Sequence, residues 1–145
     1  MTTALPAAPR GFLDTNVLVY CMQDSGRAKI VDGLLEQGCV ISVQVLNELV
    51  NVMRKKSPMN WAELTTLSQS LAKICEVTEL TLKMHQLAIS LSERYQFKIY
   101  DANIVAAAAQ AGCEVLYSED MQHGLSVQIP ARFGDGSLSI KNPFL

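Results

Sequence analysis

The distribution of apolar and polar residues along the chain predicts short buried strands separated by amphipathic helices. Short runs dominated by apolar residues, bounded by polar or glycine positions, are typical of buried strands. We predict strands at residues 11–13, 39–41, 74–77, 115–117 and 138–140. Apolar residues at helical spacing predict helices at residues 17–22, 26–37, 43–55, 60–73, 81–95 and 103–111. Residues 121–136 are predicted to be a loop with a short extended piece at 127–129.

The order of these elements predicts the fold class. Strands that alternate with helices form parallel sheets, and the helices then cover both faces of the sheet. We therefore predict an α/β protein with three layers, α/β/α, around a central parallel sheet of about five short strands. Gly38 and Gly112 are predicted to end two of the helices, and Gly112 is suited to do so in the left-handed backbone conformation.

The segment from residue 100 to residue 120 is predicted to fold back on itself and to bring two aspartates together. Its helix descends ~16 Å at ~1.5 Å per residue. The following strand climbs back a similar distance at ~3.3 Å per residue. Asp101 lies at the start of this helix, and Asp120 lies just after the strand. Both are therefore expected at the carboxyl edge of the sheet, where ligands bind in open parallel sheets.

Two more acidic residues are expected at the same edge. Asp14 directly follows the first predicted strand, and Glu48 lies in the second turn of the helix after the second strand. Taken singly, each acid also fits a simpler role. Asp14 and Asp101 would suit the N-termini of helices, and Glu48 and Asp120 would suit solvated positions.

Taken together, four carboxylates at one edge predict a site for a divalent cation. Like charges disfavour one another's ionisation, so without a metal at least one of these carboxyl groups should have a raised pKa. Oxygen ligands suit Mg²⁺ or Mn²⁺, which keep several bound water molecules. The sequence contains no cluster of cysteine and histidine residues that would suggest zinc.

Composition restricts the class of protein. Of the 145 residues, 49% are hydrophobic and 18% are charged, which fits one folded domain and excludes a disordered chain. We predict a loose N-terminal tail at residues 1–10 and a single domain at residues 11–145. The net charge of −2 argues mildly against a simple nucleic-acid-binding protein, but not against an enzyme whose metal ion supplies positive charge.

The cellular compartment is predicted from several features together. No apolar run reaches the length of a membrane span, and the N-terminal residues do not resemble a signal peptide. The cysteines have no paired spacing and are interpreted as buried reduced thiols: Cys21, Cys39, Cys75 and Cys113. These features predict a cytoplasmic protein with no membrane partner.

Four segments of the chain resemble the successive motifs of a known family. They read FLDTNVLVY, VLNELVNVM, YDANIVAAAAQAG and LYSED. In this order and spacing they are similar to the motifs of the PIN-domain ribonucleases, and the layout is most similar to VapC-type toxins of bacterial type II toxin–antitoxin systems. The resemblance extends from about Gly11 to Phe144 and includes the NPF sequence near the end of the chain.

The resemblance implies metal-dependent endonucleolytic cleavage of RNA by an acidic set, Asp14, Glu48, Asp101 and Asp120. Asp14, Asp101 and Asp120 would hold Mg²⁺ or Mn²⁺. The ion would lower the pKa of a bound water and stabilise charge on the scissile phosphate. Glu48 would bind a metal ion or orient the attacking water.

Residues beside these acids also match the family pattern, with one departure. Asn16 and Ser118 match the polar residues that hydrogen-bond to the carboxylates and orient them. His123 stands where the family often carries a further Asn or Asp. Glu119 is therefore an alternative to Asp120 as the last acid of the set.

The resemblance further implies an RNA substrate, a cognate antitoxin protein as partner, and a two-fold homodimer. Apolar residues between 61 and 71 suit a surface for a dimer or an antitoxin. Packing in the core is the simpler interpretation of Trp61, Leu64 and Leu67.

RNA would be held mainly through its phosphates. The only basic run, Arg54, Lys55 and Lys56, and the nearby His123 are the candidate contacts. A solvated helix end that complements the helix dipole is the simpler interpretation of the basic run.

Two other doubly wound families carry acids at the carboxyl edge of their sheets, and neither fits this sequence. A signalling receiver domain needs a phospho-accepting Asp at the third strand, where this chain reads ICEVTEL. A haloacid-dehalogenase-like phosphatase would need a second Asp at the position of Asn16. The remaining alternative is a catalytically idle PIN-like module that only binds RNA or protein. The complete acidic set argues against that alternative.

Overall fold

A computed structural model describes residues 10–23 and 25–145 of the chain. Its strands are β1 (Gly11–Leu13), β2 (Cys39–Ser42), β3 (Glu76–Thr78), β4 (Val115–Tyr117), β5 (Ser126–Gln128) and β6 (Ser137–Lys141). Its helices are α1 (Thr15–Leu18), α2 (Gly26–Glu36), α3 (Val43–Lys56), α4 (Trp61–Ile74), α5 (Leu82–Tyr95) and α6 (Ile99–Gln110). Short 3-10 helices follow α1 at Val19–Met22 and precede β6 at Ala131–Phe133.

The strands form one six-stranded sheet in the order β3-β2-β1-β4-β6-β5. The pairs β1–β2, β1–β4, β2–β3 and β4–β6 are parallel, which confirms the predicted α/β fold. β5 is antiparallel to β6 and forms one edge. The sheet therefore has one strand more than predicted, because the extended piece expected near 127–129 pairs with β6.

The order of the strands places helices on both faces of the sheet. From β1 the chain moves outward to β2 and β3, and it then returns to β4 on the other side of β1. Because parallel crossover connections are right-handed, α2, α3 and α4 lie on one side of the sheet, and α5 and α6 lie on the other. The strand order reverses between β1 and β4, so a crevice opens at the carboxyl ends of these two strands.

The small-residue block predicted at 103–111 is the core of α6, which begins earlier, at Ile99. Its alanines Ala102, Ala106, Ala107 and Ala108 are fully buried. Small side chains allow close packing, and α6 contacts β2, β4 and β6. Asp101 therefore lies in the first turn of a buried helix, at the carboxyl edge of the sheet.

Capping residues fix where the helices begin and end. Asp14 accepts a hydrogen bond from the Thr15 backbone N–H at the start of α1, and Ser42 Oγ accepts one from the Val45 backbone N–H at the start of α3. Gly38 and Gly112 follow α2 and α6 with positive φ values of 81° and 74°. Both glycines thus have the left-handed conformation, which was predicted for Gly112.

The exposure of individual side chains tests the predictions made for the four cysteines and for the apolar residues of α4. Cys39, Cys75 and Cys113 are buried and Cys21 is partly buried, and all are free thiols. Trp61 is 63% exposed, so the core interpretation is wrong for this residue, whereas Leu64 is buried.

Residues 1–9 of the predicted tail lie outside the described residues, and the domain boundaries stay a prediction. Within the described ranges, no helix has the length and apolar character to cross a bilayer.

Candidate active site

An open pocket of about 480 Å³ lies at the crevice between the carboxyl ends of β1 and β4. The four predicted acids line it: Asp14 after β1, Glu48 on α3, Asp101 in the first turn of α6, and Asp120 after β4. The doubly wound topology thus gathers side chains from four separate segments. No positively charged partner of these four carboxylates is found among the hydrogen bonds and ion pairs of the described residues.

Asp14 is the most buried of the four acids, with 6% of its surface exposed. Its Oδ1 accepts a hydrogen bond from Thr15 N at 2.7 Å. Its Oδ2 accepts from Ser118 Oγ at 2.9 Å and from Asn16 Nδ2 at 3.3 Å. Burial raises the pKa of Asp14 to about 6, and the charge of Glu48 adds to this effect, while the Ser118 and Thr15 hydrogen bonds oppose it. The expected raised pKa is confirmed, but burial rather than like charge is its main cause.

Asp101 is partly buried, and its pKa is also raised above its ordinary value. Desolvation is again the main cause. Lys98 lowers the pKa of this carboxyl group, while the charges of Glu48 and Asp120 raise it. Nearby negative charge thus adds to the effect of burial on the pKa of Asp101.

Asn16 and Ser118 connect the segments that follow β1 and β4. Asn16 Nδ2 donates to Ser118 Oγ at 3.2 Å, and Asn16 Oδ1 accepts from Glu119 N at 3.0 Å. Ser118 is fully buried, and its Oγ accepts from Met121 N at 3.3 Å. Both side chains also donate to Asp14, which is the contact predicted for them. The Asp14 carboxylate is therefore held from two directions by neutral donors.

Glu48 has two hydrogen-bond partners that the sequence analysis missed. Its Oε2 accepts from Thr15 Oγ1 at 2.7 Å, and its Oε1 accepts from Gln44 Nε2 at 2.9 Å. Gln44 lies four residues before Glu48 on α3, a spacing that places two side chains side by side and that could have identified it. For Thr15, the only indication in the sequence of a role at the site was its position next to Asp14.

The neighbouring acids Glu119 and Asp120 differ in their surroundings. The Glu119 carboxylate accepts hydrogen bonds from Tyr20 and Arg27, neither of which the sequence analysis selected. No comparable pattern of spacing links Tyr20 or Arg27 to Glu119. The Asp120 side chain is exposed at the pocket and has no hydrogen-bond partner among the described residues. These surroundings favour Asp120 over Glu119 as the carboxylate open to a ligand.

The candidate RNA contacts do not all lie at the pocket. Lys56 lines it. The Arg54 guanidinium instead lies 4.6 Å from the centre of the Trp61 ring and donates to the Met59 carbonyl at 3.2 Å. Lys55 is exposed outside the pocket lining. His123 is also outside it, and its Nδ1 accepts from Asn142 N at 2.9 Å.

The arrangement and the chemistry of the side chains that line the pocket determine whether it suits a metal ion. Within residues 10–23 and 25–145, no three His, Cys, Asp or Glu side chains are close enough together to form a ready-made metal site. The donors that line the pocket are carboxylate oxygens, however, and the pocket is open to water. Mg²⁺ prefers oxygen ligands, keeps several waters and binds through only one or two carboxylates in many proteins. The chemistry of the donor set therefore fits a hydrated Mg²⁺ or Mn²⁺ ion.

Comparisons with known proteins agree with this architecture. The sequence model of the PIN domain family matches residues 11–123. The structure of VapC20 from Mycobacterium tuberculosis, described as a sarcin-ricin loop cleaving toxin, has a TM-score of 0.62 at 18% identity over 76% of this chain and 89% of that chain. DNA-bound VapBC from Salmonella typhimurium has a TM-score of 0.64 at 15% identity, over 94% and 99%. VapBC2 from Rickettsia felis, bound to a promoter DNA fragment, has a TM-score of 0.61 at 18% identity, over 91% and 97%. No curated protein matches the chain.

Proposed function

The chain belongs to the PIN domain family, and from this premise we propose that it is a metal-dependent endoribonuclease and the toxin of a type II toxin–antitoxin system. The observation that carries the proposal is the pocket that four carboxylates line. Structural relatives named as VapC and VapBC proteins support the toxin role, and one of them is described as cleaving the sarcin-ricin loop. A cytoplasmic location is part of the same proposal.

The residues of the pocket divide into two chemical roles. Asp14, Asp101 and Asp120 would hold Mg²⁺ or Mn²⁺, which would lower the pKa of a bound water and stabilise charge on the scissile phosphate. With a metal-free pKa of about 6, Asp14 is mostly ionised at neutral pH and is ready to bind a cation. Asn16 and Ser118 fix its orientation without cancelling its charge.

Glu48 would act on the attacking water, and Lys56 would act on the RNA. Thr15 and Gln44 each donate one hydrogen bond to the Glu48 carboxylate, which leaves lone pairs on both oxygens to orient the attacking water and accept its proton. Lys56 lies at the pocket and would pair with a phosphate of the RNA. Substrate binding through phosphates should therefore weaken as salt increases.

Cleavage of RNA by the purified chain tests this function. Mixed single-stranded and structured RNAs should be cut in Mg²⁺ or Mn²⁺, and EDTA should abolish cutting. Asp14→Asn should lower the rate by more than ~10²-fold. Glu76→Gln is the matched control, because Glu76 is an exposed carboxylate paired with Arg10 away from the pocket. Cleavage that persists in EDTA, or a fully active and folded Asp14→Asn variant, would refute the assignment.

A catalytically idle PIN-like module is the second candidate. One observation favours it, namely that the described residues hold no preformed group of three metal ligands. The same experiment separates the two functions. Retention of RNA on the protein, with no cleavage in any divalent cation, would support the idle module and exclude the nuclease.

The proposed partners are a second copy of the chain and an antitoxin protein. Exposed apolar side chains near α4 support an interface, since Trp61 is 63% and Met22 is 54% exposed. Structural relatives solved as VapBC complexes support the antitoxin. Light scattering at tens of micromolar protein should show a dimer, and a monomer there would rule the homodimer out. Co-purification with the product of a small neighbouring reading frame should block RNA cleavage.

A further inference from the structure

Glu119 lies at the wall of the acidic pocket, but it is held differently from the four acids discussed above. Its Oε2 accepts a hydrogen bond from the Tyr20 hydroxyl at 2.8 Å. Its Oε1 accepts one from the Arg27 guanidinium, with which it forms an ion pair. Its backbone N–H donates to Asn16. Both carboxylate oxygens and the backbone of Glu119 are therefore engaged by the protein itself.

The groups that hold Glu119 are themselves held in place. Arg27 Nη1 also donates to the Tyr20 hydroxyl at 2.9 Å. The Arg27 guanidinium lies 5.1 Å from the centre of the Tyr20 ring and 4.8 Å from that of Phe144. The two rings pack edge to face, with centroids 5.1 Å apart. Tyr20, Arg27 and Phe144, here called the Arg27 clamp, thus bring together the 3-10 helix after β1, the first turn of α2 and the C-terminal segment.

The clamp sits beside a pocket in which, among the described residues, Asp14, Glu48, Asp101 and Asp120 form no hydrogen bond or ion pair with a lysine or arginine, although Lys56 lines the pocket. An arginine pair neutralises the charge of a carboxylate and occupies its lone pairs, which is the opposite of what a metal ligand requires. An additional carboxylate on a bound ion would displace a water and reduce the positive charge that acidifies the remaining waters. The Glu119 side chain is one residue from Asp120 and has three rotatable bonds. It would reach a bound ion in this way unless other residues held it in place.

We propose that Tyr20 and Arg27 are positioning residues that hold Glu119 out of the metal site, so that Asp120 alone serves from this loop. The inference rests on the proposed metal-dependent function of the same pocket. It explains why Asp120, rather than the adjacent Glu119, would bind the metal ion. Tyr20 and Arg27 act through Glu119 and do not touch the metal or the reacting atoms. The clamp therefore controls how many carboxylates the ion receives.

Binding of Mn²⁺ to the protein without RNA tests the inference, by titration calorimetry or by electron paramagnetic resonance of free Mn²⁺. The double variant Tyr20→Phe, Arg27→Met removes both donors to Glu119 and should bind Mn²⁺ about tenfold more tightly, because a further charged ligand becomes available. Its rate of RNA cleavage should fall about tenfold. Adding Glu119→Gln to the double variant should return the Kd of Mn²⁺ to the wild-type value. A purely structural role of the clamp would not produce this reversal.

Two single variants complete the design. Glu119→Gln alone should leave the Kd of Mn²⁺ within about twofold of wild type, whereas a tenfold weakening would show that Glu119 is a ligand and would overturn the inference. Arg94→Met is the matched control, because it removes a similar guanidinium from the Tyr95 ring, at 5.3 Å, outside the pocket lining. It should not change the Kd.

The outcomes separate this inference from the proposed function. If Asp14→Asn weakens Mn²⁺ binding but the double variant does not tighten it, the inference fails and the metal site stands. If Asp14→Asn binds Mn²⁺ as tightly as wild type, the metal site fails and the inference fails with it. Tightening in the double variant together with its reversal by Glu119→Gln supports both.

Discussion

The amino and carboxyl ends of the central parallel strands differ in the hydrogen-bond partners of their charged side chains. At the amino end, Arg10 donates to the Ala111 carbonyl and pairs with Glu76, and the two charged side chains are 45% and 56% exposed. At the carboxyl end, Asp14 is buried and is held by the neutral donors of Thr15, Ser118 and Asn16. The Arg10–Glu76 pair thus cancels charge at the amino end, whereas Asp14 keeps its negative charge at the carboxyl end, although Glu119 beside it is paired with Arg27.

Neutral hydrogen-bond donors orient the Asp14 carboxylate but leave its negative charge available to a cation. A guanidinium beside Asp14 would stabilise the folded protein but would also occupy the position of an incoming cation. Hydroxyl and amide donors orient the carboxylate and leave its charge in place. The consequence is a folded state that carries an electrostatic cost until a cation binds. Changes to Asp14 or Asp101 should therefore affect both metal binding and activity, while changes at the amino end should affect neither.

The largest expected effect is that of Asp101→Asn at the carboxyl end. RNA cleavage should fall by more than ~10²-fold, because a metal ligand is lost. Wild type should gain about 2.7 kcal/mol of stability when Mg²⁺ reaches a hundred times its Kd, and the variant should gain much less. Melting curves in EDTA and in excess Mg²⁺ measure both effects.

In EDTA the same variant should melt close to wild type, because two contributions of similar size oppose each other. Relief of repulsion and of desolvation should add about 0.5–1 kcal/mol after allowance for solvent screening. Loss of the favourable helix-dipole interaction, worth ~0.3–1 kcal/mol, opposes this gain. If Asp101→Asn melts well below wild type in EDTA and responds to Mg²⁺ as wild type does, Asp101 is a structural residue of α6 and the comparison between the two ends no longer holds.

The second effect is on the pH dependence of stability, through Asp14. Burial raises its pKa from 3.8 to about 6, so the folded state binds more protons than the unfolded state between these values. The free energy of unfolding of the metal-free protein should therefore fall as pH rises from about 4 to about 7, by about 2–3 kcal/mol from this group. Urea unfolding in EDTA at several pH values measures it. Asp14→Asn should lack this contribution, and parallel profiles for the two proteins would contradict the account.

A third, smaller effect is expected from Ser118→Ala. The Ser118 hydroxyl is buried, donates to Asp14 and accepts from Asn16 and Met121. Its loss should lower the free energy of unfolding by about 1–2 kcal/mol and slow cleavage about tenfold or more. Ser92→Ala is the matched control, because the buried Ser92 Oγ has no hydrogen-bond partner among the described residues. Equal destabilisation by the two serine variants would show that the Ser118 contacts are energetically unimportant.

The smallest effect belongs to the amino end. A double-mutant cycle of Arg10→Met and Glu76→Gln should give a coupling free energy below about 1 kcal/mol, because both groups of this ion pair are exposed to solvent. The coupling should decrease further in high salt. RNA cleavage should be unchanged in both single variants. A coupling of several kcal/mol would mean that the amino end is also electrostatically specialised.

Several elements could be predicted from the sequence because local signals were sufficient. β1 and β4 have the predicted bounds, since each is a short apolar run that ends at a polar residue. The start of α6 was placed too late, because Tyr100 is 70% exposed and gives no sign of helical burial. β5 was expected only as an extended piece, because its partner β6 supplies the hydrogen bonds that make it a strand.

Local sequence signals were enough to predict that Asp14, Glu48, Asp101 and Asp120 would lie at one edge, since strand ends and helix starts converge in any parallel α/β sheet. The difference between Glu119 and Asp120 arises only in the folded chain. Adjacent residues in a loop share the same local signal, and their side-chain directions depend on partners from distant segments. Here those partners are Tyr20 and Arg27, which lie about a hundred residues away in sequence and contact Glu119 only after the chain has folded.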